Sequence, residues 1–80
     1  MPPASPDAIA RKLIEMLKRR RPELEAVLDE MSKNREGQRE LARAFSQAYE
    51  VYLKSLRLEE AFDFLVKYLE TAYDDYSELD

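Results

Sequence analysis

Residues 41–56, Leu-Ala-Arg-Ala-Phe-Ser-Gln-Ala-Tyr-Glu-Val-Tyr-Leu-Lys-Ser-Leu, decide how this chain folds. Leu41, Ala44, Phe45, Ala48, Tyr49, Tyr52, Leu53 and Leu56 recur at spacings of three and four. Stepped at roughly 100° per residue, they cover about half of a helix circumference. A helix resting on one neighbour needs a narrower stripe. This spacing therefore predicts a central helix, over about residues 35–55, touched from several sides.

Downstream, Leu58, Phe62, Leu65, Leu69, Tyr73 and Tyr76 form a second apolar face. Carried along one straight helix it would lie about 130° from the first, so a single long helix would present two unrelated stripes. A break near Ser55-Leu56-Arg57 folds both into one core and starts a fourth helix over about 58–77, with Glu59 and Glu60 in its acid-favouring first turn. Its acidic C-terminal end predicts fraying beyond Tyr76.

Upstream, Ser5-Pro6-Asp7 reads as a hydroxyl N-cap, a proline at the first helical position and an acid facing the positive dipole end. A first helix follows over 6–20, with Ile9, Leu13, Met16 and Leu17 on one side and Ala10 and Ile14 widening it. Pro22 forces a restart, because the residue before a proline is pushed out of helical geometry. Leu24, Val27, Leu28 and Met31 then mark a short, one-faced helix over 22–32. Asn34 is the N-cap expected for helix 3. Gly37 leaves two readings: a first turn too crowded for a side chain, or a helix that begins at Gln38. The fold class expected is all-α, a compact, irregular four-helix bundle with short connections. Residues 5–80 form its single domain behind a flexible leader, 1–4.

Composition removes most chemistry. The 80 residues contain no Cys and no His. Disulfides, thiol nucleophiles, the commonest general base and the commonest transition-metal ligand are all excluded. Thirteen basic side chains against 17 acidic ones give a net charge of −4. A modestly acidic domain is poorly suited to nucleic acid, whose binding draws on phosphate neutralisation. No apolar run approaches the roughly 18 residues of a membrane span, and the N-terminus lacks the basic and apolar regions of a signal peptide. A soluble, untargeted chain that takes no cofactor, metal or small-molecule substrate is expected.

Two charge clusters invite a chemical reading. Lys18-Arg19-Arg20-Arg21 reads either as an acidic-partner patch or as cations at the negative end of a helix dipole, and the second is favoured. Glu59, Glu60, Asp63 and the acids beyond Glu70 fall on the polar side of helix 4, so a solvated face is favoured over a carboxylate pair across a cleft. Met31 belongs to its helix's apolar stripe, which favours core packing over a promiscuous binding surface.

Aromatic placement carries the functional reading. All three Phe and five Tyr fall between Phe45 and Tyr76. Phe45, Tyr52, Phe62 and Tyr73 sit in core stripes. Phe64 and Tyr68 lie four apart, about 80–120° from the centre of helix 4's core face, and Val51 is displaced in the same sense on helix 3. On antiparallel neighbours such displacements meet in one groove. Val51 should come level with Phe64, and Ala44 or Gln47 with Tyr68. The expected patch is Ala44, Gln47, Ala48, Val51, Phe64 and Tyr68. It reads either as a protein-binding face or as a second face of the core roofed by helix 1 or 2. Ala10 and Ile14 with Leu17 form a lesser candidate, assigned to the core.

The Ser5-Pro6-Asp7 cap, the Arg21-Pro22-Glu23 restart, helices rich in Glu, Lys, Arg, Leu and Ala, and the missing Cys, His and Trp together resemble computationally designed helical mini-proteins. The five tyrosines, Gly37 and an ill-capped helix 4 depart from design rules. The resemblance implies a non-enzymatic protein-binding module, a designed binder presenting a rigid helical face to a protein target. A self-associating homodimer through the same patch, or a small natural regulatory or viral interaction protein, is the alternative.

Overall fold

A computed structural model describes residues 4–77. It contains four α-helices in the order α1 (Pro6–Arg20), α2 (Pro22–Met31), α3 (Arg35–Ser55) and α4 (Leu58–Ser77). The boundaries follow local chemistry. Ser5 accepts from the Ala8 N–H at 3.1 Å, with Pro6 at the first helical position. Arg21, held between two helices by Pro22, takes φ −140° and ψ 65° and so separates α1 from α2. α2 ends at Met31, one residue before the expected limit, with the Ser32 N–H closing on Leu28 O at 3.0 Å.

Asn34 caps α3, its Oδ1 accepting from the Gly37 N–H at 2.7 Å. Gly37 is thus inside the first turn, which decides between its two readings. A Cβ there would lie 2.0 Å from the Met31 carbonyl oxygen, so the backbone of α3 rests directly on the end of α2. At the far end Leu56 takes the left-handed conformation, φ 57°, ψ 26°, and its N–H closes on Tyr52 O. Ser55 Oγ donates to Val51 O at 2.8 Å and accepts from the Arg57 N–H at 3.1 Å. These bonds make the two-residue corner that the phase of the stripes requires.

α3 and α4 return antiparallel from this corner. The Tyr68 hydroxyl donates to Glu40 O at 3.3 Å, and Tyr76 lies in the field of Glu36 and Glu40 near the start of α3. The overall extents are 45 × 25 × 17 Å. A thickness of 17 Å accommodates two layers of helices at ordinary interaxial distances. Leu13, Leu17, Leu24, Met31, Leu65 and Leu69 are the largest fully buried side chains, and Phe62 joins them. Each contributes about 1.5–3 kcal/mol by leaving water. No polar or charged side chain is buried among the described residues.

Three core assignments require correction. Leu53 is 41% and Leu56 71% exposed, and Tyr73 is 39% exposed. The fully buried Ala44 and Ala48 mark the covered side of α3. Leu53 lies roughly 140–180° around the helix from them, beyond the reach of the elements that cover them. Tyr73 lies roughly 80° from Leu65, at the margin of α4's buried face. Ala4, within the expected leader, is half-buried, and its carbonyl accepts from the Tyr49 hydroxyl at 2.8 Å. The rest of the leader and the residues after Ser77 lie outside the described residues.

Candidate protein-binding surface

Across the antiparallel pair, the Tyr68 hydroxyl of α4 donates to Glu40 O of α3. Of the expected patch, Val51, Phe64 and Tyr68 are half-buried and Gln47 is exposed. Both rings pack against the core and keep part of their surface in water, so neither is fully enclosed. Two members of the expected patch are corrected: Ala44 and Ala48 have no exposed surface. Small side chains there let α3 sit close against its neighbours, and they underlie the groove instead of lining it. The Tyr68 hydroxyl reaches the carbonyl of Glu40, one turn before Ala44.

Burial raises the Tyr68 phenol above its ordinary value; the nearby Glu40 adds to this and Arg43 opposes it. Tyr76 is raised as well, first by burial and then by Glu40, Glu36 and Asp75. Burial and the nearby carboxylates both favour the protonated phenol. Both rings present a neutral hydroxyl at the rim of an apolar strip, the combination that favours tyrosine at interfaces.

The flank of α3 away from α4 carries a second surface that the periodicity had placed in the core. Leu53 and Leu56 protrude from it, and Tyr49 and Tyr52 stack behind them with centroids 6.4 Å apart and an interplanar angle of 30°. Towards the middle of α3, a depression of about 240 Å³ opens between the two helices. Ala10 of α1 and Ala42, Phe45, Ser46 and Tyr49 of α3 line it, with Pro6 and Asp7 at its rim. Ala10 and Ile14 are half-buried, while Leu17 is fully buried. The signal that could have found this flank is the width of the stripe itself, which exceeds what three neighbouring helices of this size cover.

Two members of the basic run at the end of α1, Arg20 and Arg21, are paired within the chain. Arg20 pairs with Glu59 at 2.8 Å and lies over the Phe62 ring, 4.6 Å from its centroid. Arg21 bridges Glu23 at 2.8 Å and Glu70 at 3.0 Å, which holds the α1–α2 corner against α4. The pairing lowers the Glu23 carboxyl below its usual value and raises the Arg21 guanidinium. Beside this bridge Tyr73, Leu24 and Asp74 border a second depression, of about 350 Å³. Among the described residues, no group of three or more acids is arranged to hold a metal ion, and no helix is long and apolar enough to cross a membrane. No protein family, characterised protein or solved structure matches the chain.

Proposed function

We propose that this chain is a non-enzymatic protein-binding module, of the kind represented by designed helical binders, that engages a protein target through the groove between α3 and α4. The observation that supports the reading is that Phe64 and Tyr68 pack against the core yet keep part of their ring surface in water. Both rings are held in place before any partner arrives, Tyr68 by its bond to Glu40 O and Phe64 by contact with the core. A preformed aromatic strip loses little conformational freedom on binding, which is where much of the cost of association lies. The contact set is Gln47, Val51, Phe64 and Tyr68, and the target contributes aliphatic or aromatic groups that enter between the two helices.

The test compares Phe64→Ala and Tyr68→Ala with the parent chain in two measurements. Target affinity should fall by tenfold or more for each, while the thermal midpoint drops only by the few degrees expected of half-buried side chains. Unchanged affinity, or a collapse of stability equal to that of Leu65→Ala, would assign the rings to the interior and remove the reading.

A further inference from the structure

α1 turns a cationic face to solvent in a chain whose net charge is −4. Arg11, Lys12, Lys18 and Arg19 are all exposed, and Glu15 is the one acid that shares their face. Stepped at 100° per residue, the four cations fall within a sector of about 120°. Arg11 and Lys18 point away from the side that buries Ile9, Leu13, Met16 and Leu17. Among the described residues, Arg20, Arg21 and Lys33 enter ion pairs and none of these four does, although Glu15 stands one turn from both Arg11 and Arg19. The helix dipole accounts for Lys18 and Arg19 in the last turn. It does not account for Arg11 and Lys12, because its effect falls off within a turn of the helix end.

We infer that this face of α1 binds a short acidic segment of a partner protein. Arg11 and Arg19 stand about 12 Å apart at the helical rise. An extended segment with acids at alternate positions sets three carboxylates over that length. Each meets a guanidinium or an ammonium, the first able to take it by two parallel hydrogen bonds. Two larger anionic partners fit less well. α1 exposes no large apolar side chain that could enter a lipid surface. A membrane or a nucleic-acid strand also extends past this face, onto the exposed acids Glu59, Glu60 and Asp63 at the start of α4. Those acids adjoin the end of α1, as the pair between Arg20 and Glu59 shows, and they repel an extended polyanion within a screening length of about 8 Å. A short acidic segment covers the cations and stops before them. Exposed charge pairs contribute little each, so three of them set an affinity of about 0.1–1 mM that falls as salt rises.

Fluorescence anisotropy of the full chain with a labelled peptide, about ten residues of alternating glutamate and serine, reads the contact at about 20 mM salt. Binding is expected for this peptide and not for its glutamine–serine counterpart. Arg11→Gln and Lys18→Gln should each weaken it about threefold, and the double variant about tenfold. Lys54→Gln and Arg57→Gln remove the same charge from exposed positions elsewhere and should change it by less than about twofold. All four positions are exposed, so helicity should stay at the parent level. Vesicles containing phosphatidylserine and a single-stranded oligothymidylate, titrated in parallel, should bind more weakly than the peptide. No binding of the glutamate peptide, equal losses at Lys54 and Arg57, or tighter binding of the vesicles or the oligonucleotide overturns the assignment. Phe64→Ala and Tyr68→Ala leave the acidic peptide's affinity unchanged, and their effect on the groove is scored separately.

Discussion

Gly37 is held in place by a neighbour's backbone, not by its own torsion angles. A glycine-to-alanine change within a helix ordinarily stabilises by up to about 1 kcal/mol. Here the added Cβ would meet the Met31 carbonyl at 2.0 Å, and that oxygen belongs to the last turn of α2. Gly37→Ala should therefore destabilise, by roughly 1–3 kcal/mol, as other overpacked sites do. A urea midpoint that rises in the variant would refute the close approach. Leu56 is the opposite case. An L-residue in the left-handed region costs roughly 1–2 kcal/mol, and this one also leaves its side chain in water. Leu56→Gly should raise the thermal midpoint by about 4–8 °C. Tyr68 and Tyr76 yield a pH prediction. Their phenols are raised in the folded chain, so the stability they contribute is complete below the unfolded value near pH 10 and is lost as pH rises through the folded values. Phenolate absorbance should show a late-titrating component that Tyr68→Phe and Tyr76→Phe each diminish.

The helices differ in how they are begun and ended. α1 and α3 have side-chain caps at Ser5 and Asn34, whereas α2 starts on Pro22 with none. Ser5→Ala and Asn34→Ala should each cost about 1 kcal/mol in denaturant unfolding. The Arg21 bridge to Glu23 and Glu70 is exposed, and exposed pairs contribute little, so its loss should be small beside the loss of either cap. α3 itself is used on all sides. Its buried side holds Leu41, Ala44 and Ala48, one flank meets α4 at Glu40, and the other carries Tyr49 and Leu53. A direct comparison separates these roles. Leu65→Ala should cost about 2–5 kcal/mol, as fully buried leucines do. Leu53→Glu should leave the stability of the monomer within about 0.5 kcal/mol.

At the scale of the molecule, a short α1 and a shorter α2 cover one side of the long α3–α4 pair and leave its other surfaces free. A layer 17 Å thick has little interior relative to its surface. Apolar side chains that a thicker bundle would bury therefore remain partly in water along two separate lines. One carries Phe64 and Tyr68; the other carries Leu53 and Leu56. Much of this plan was legible beforehand. Pro22, the caps at Ser5 and Asn34 and the phase change after Ser55 are local signals, and each lies within a residue of the boundary it predicts. The patch was half legible. Val51, Phe64 and Tyr68 are half-buried because their displacement sets them at the margin of a core stripe. Ala44 and Ala48 were misplaced because an alanine on the margin of a stripe reads the same whether it faces a partner or a neighbour.

The order of residues alone determined four helices, their limits and the corner between α3 and α4, because caps, prolines and helical phase act over a few residues and need no distant contact. Only the tertiary structure decided which flank of α3 stays uncovered. Periodicity gives the angle at which a side chain leaves its helix, but whether that angle ends in protein or in water depends on the width and placement of the helices packed around it. Leu53 and Leu56 belong to α3's apolar stripe by spacing and to the molecular surface by packing.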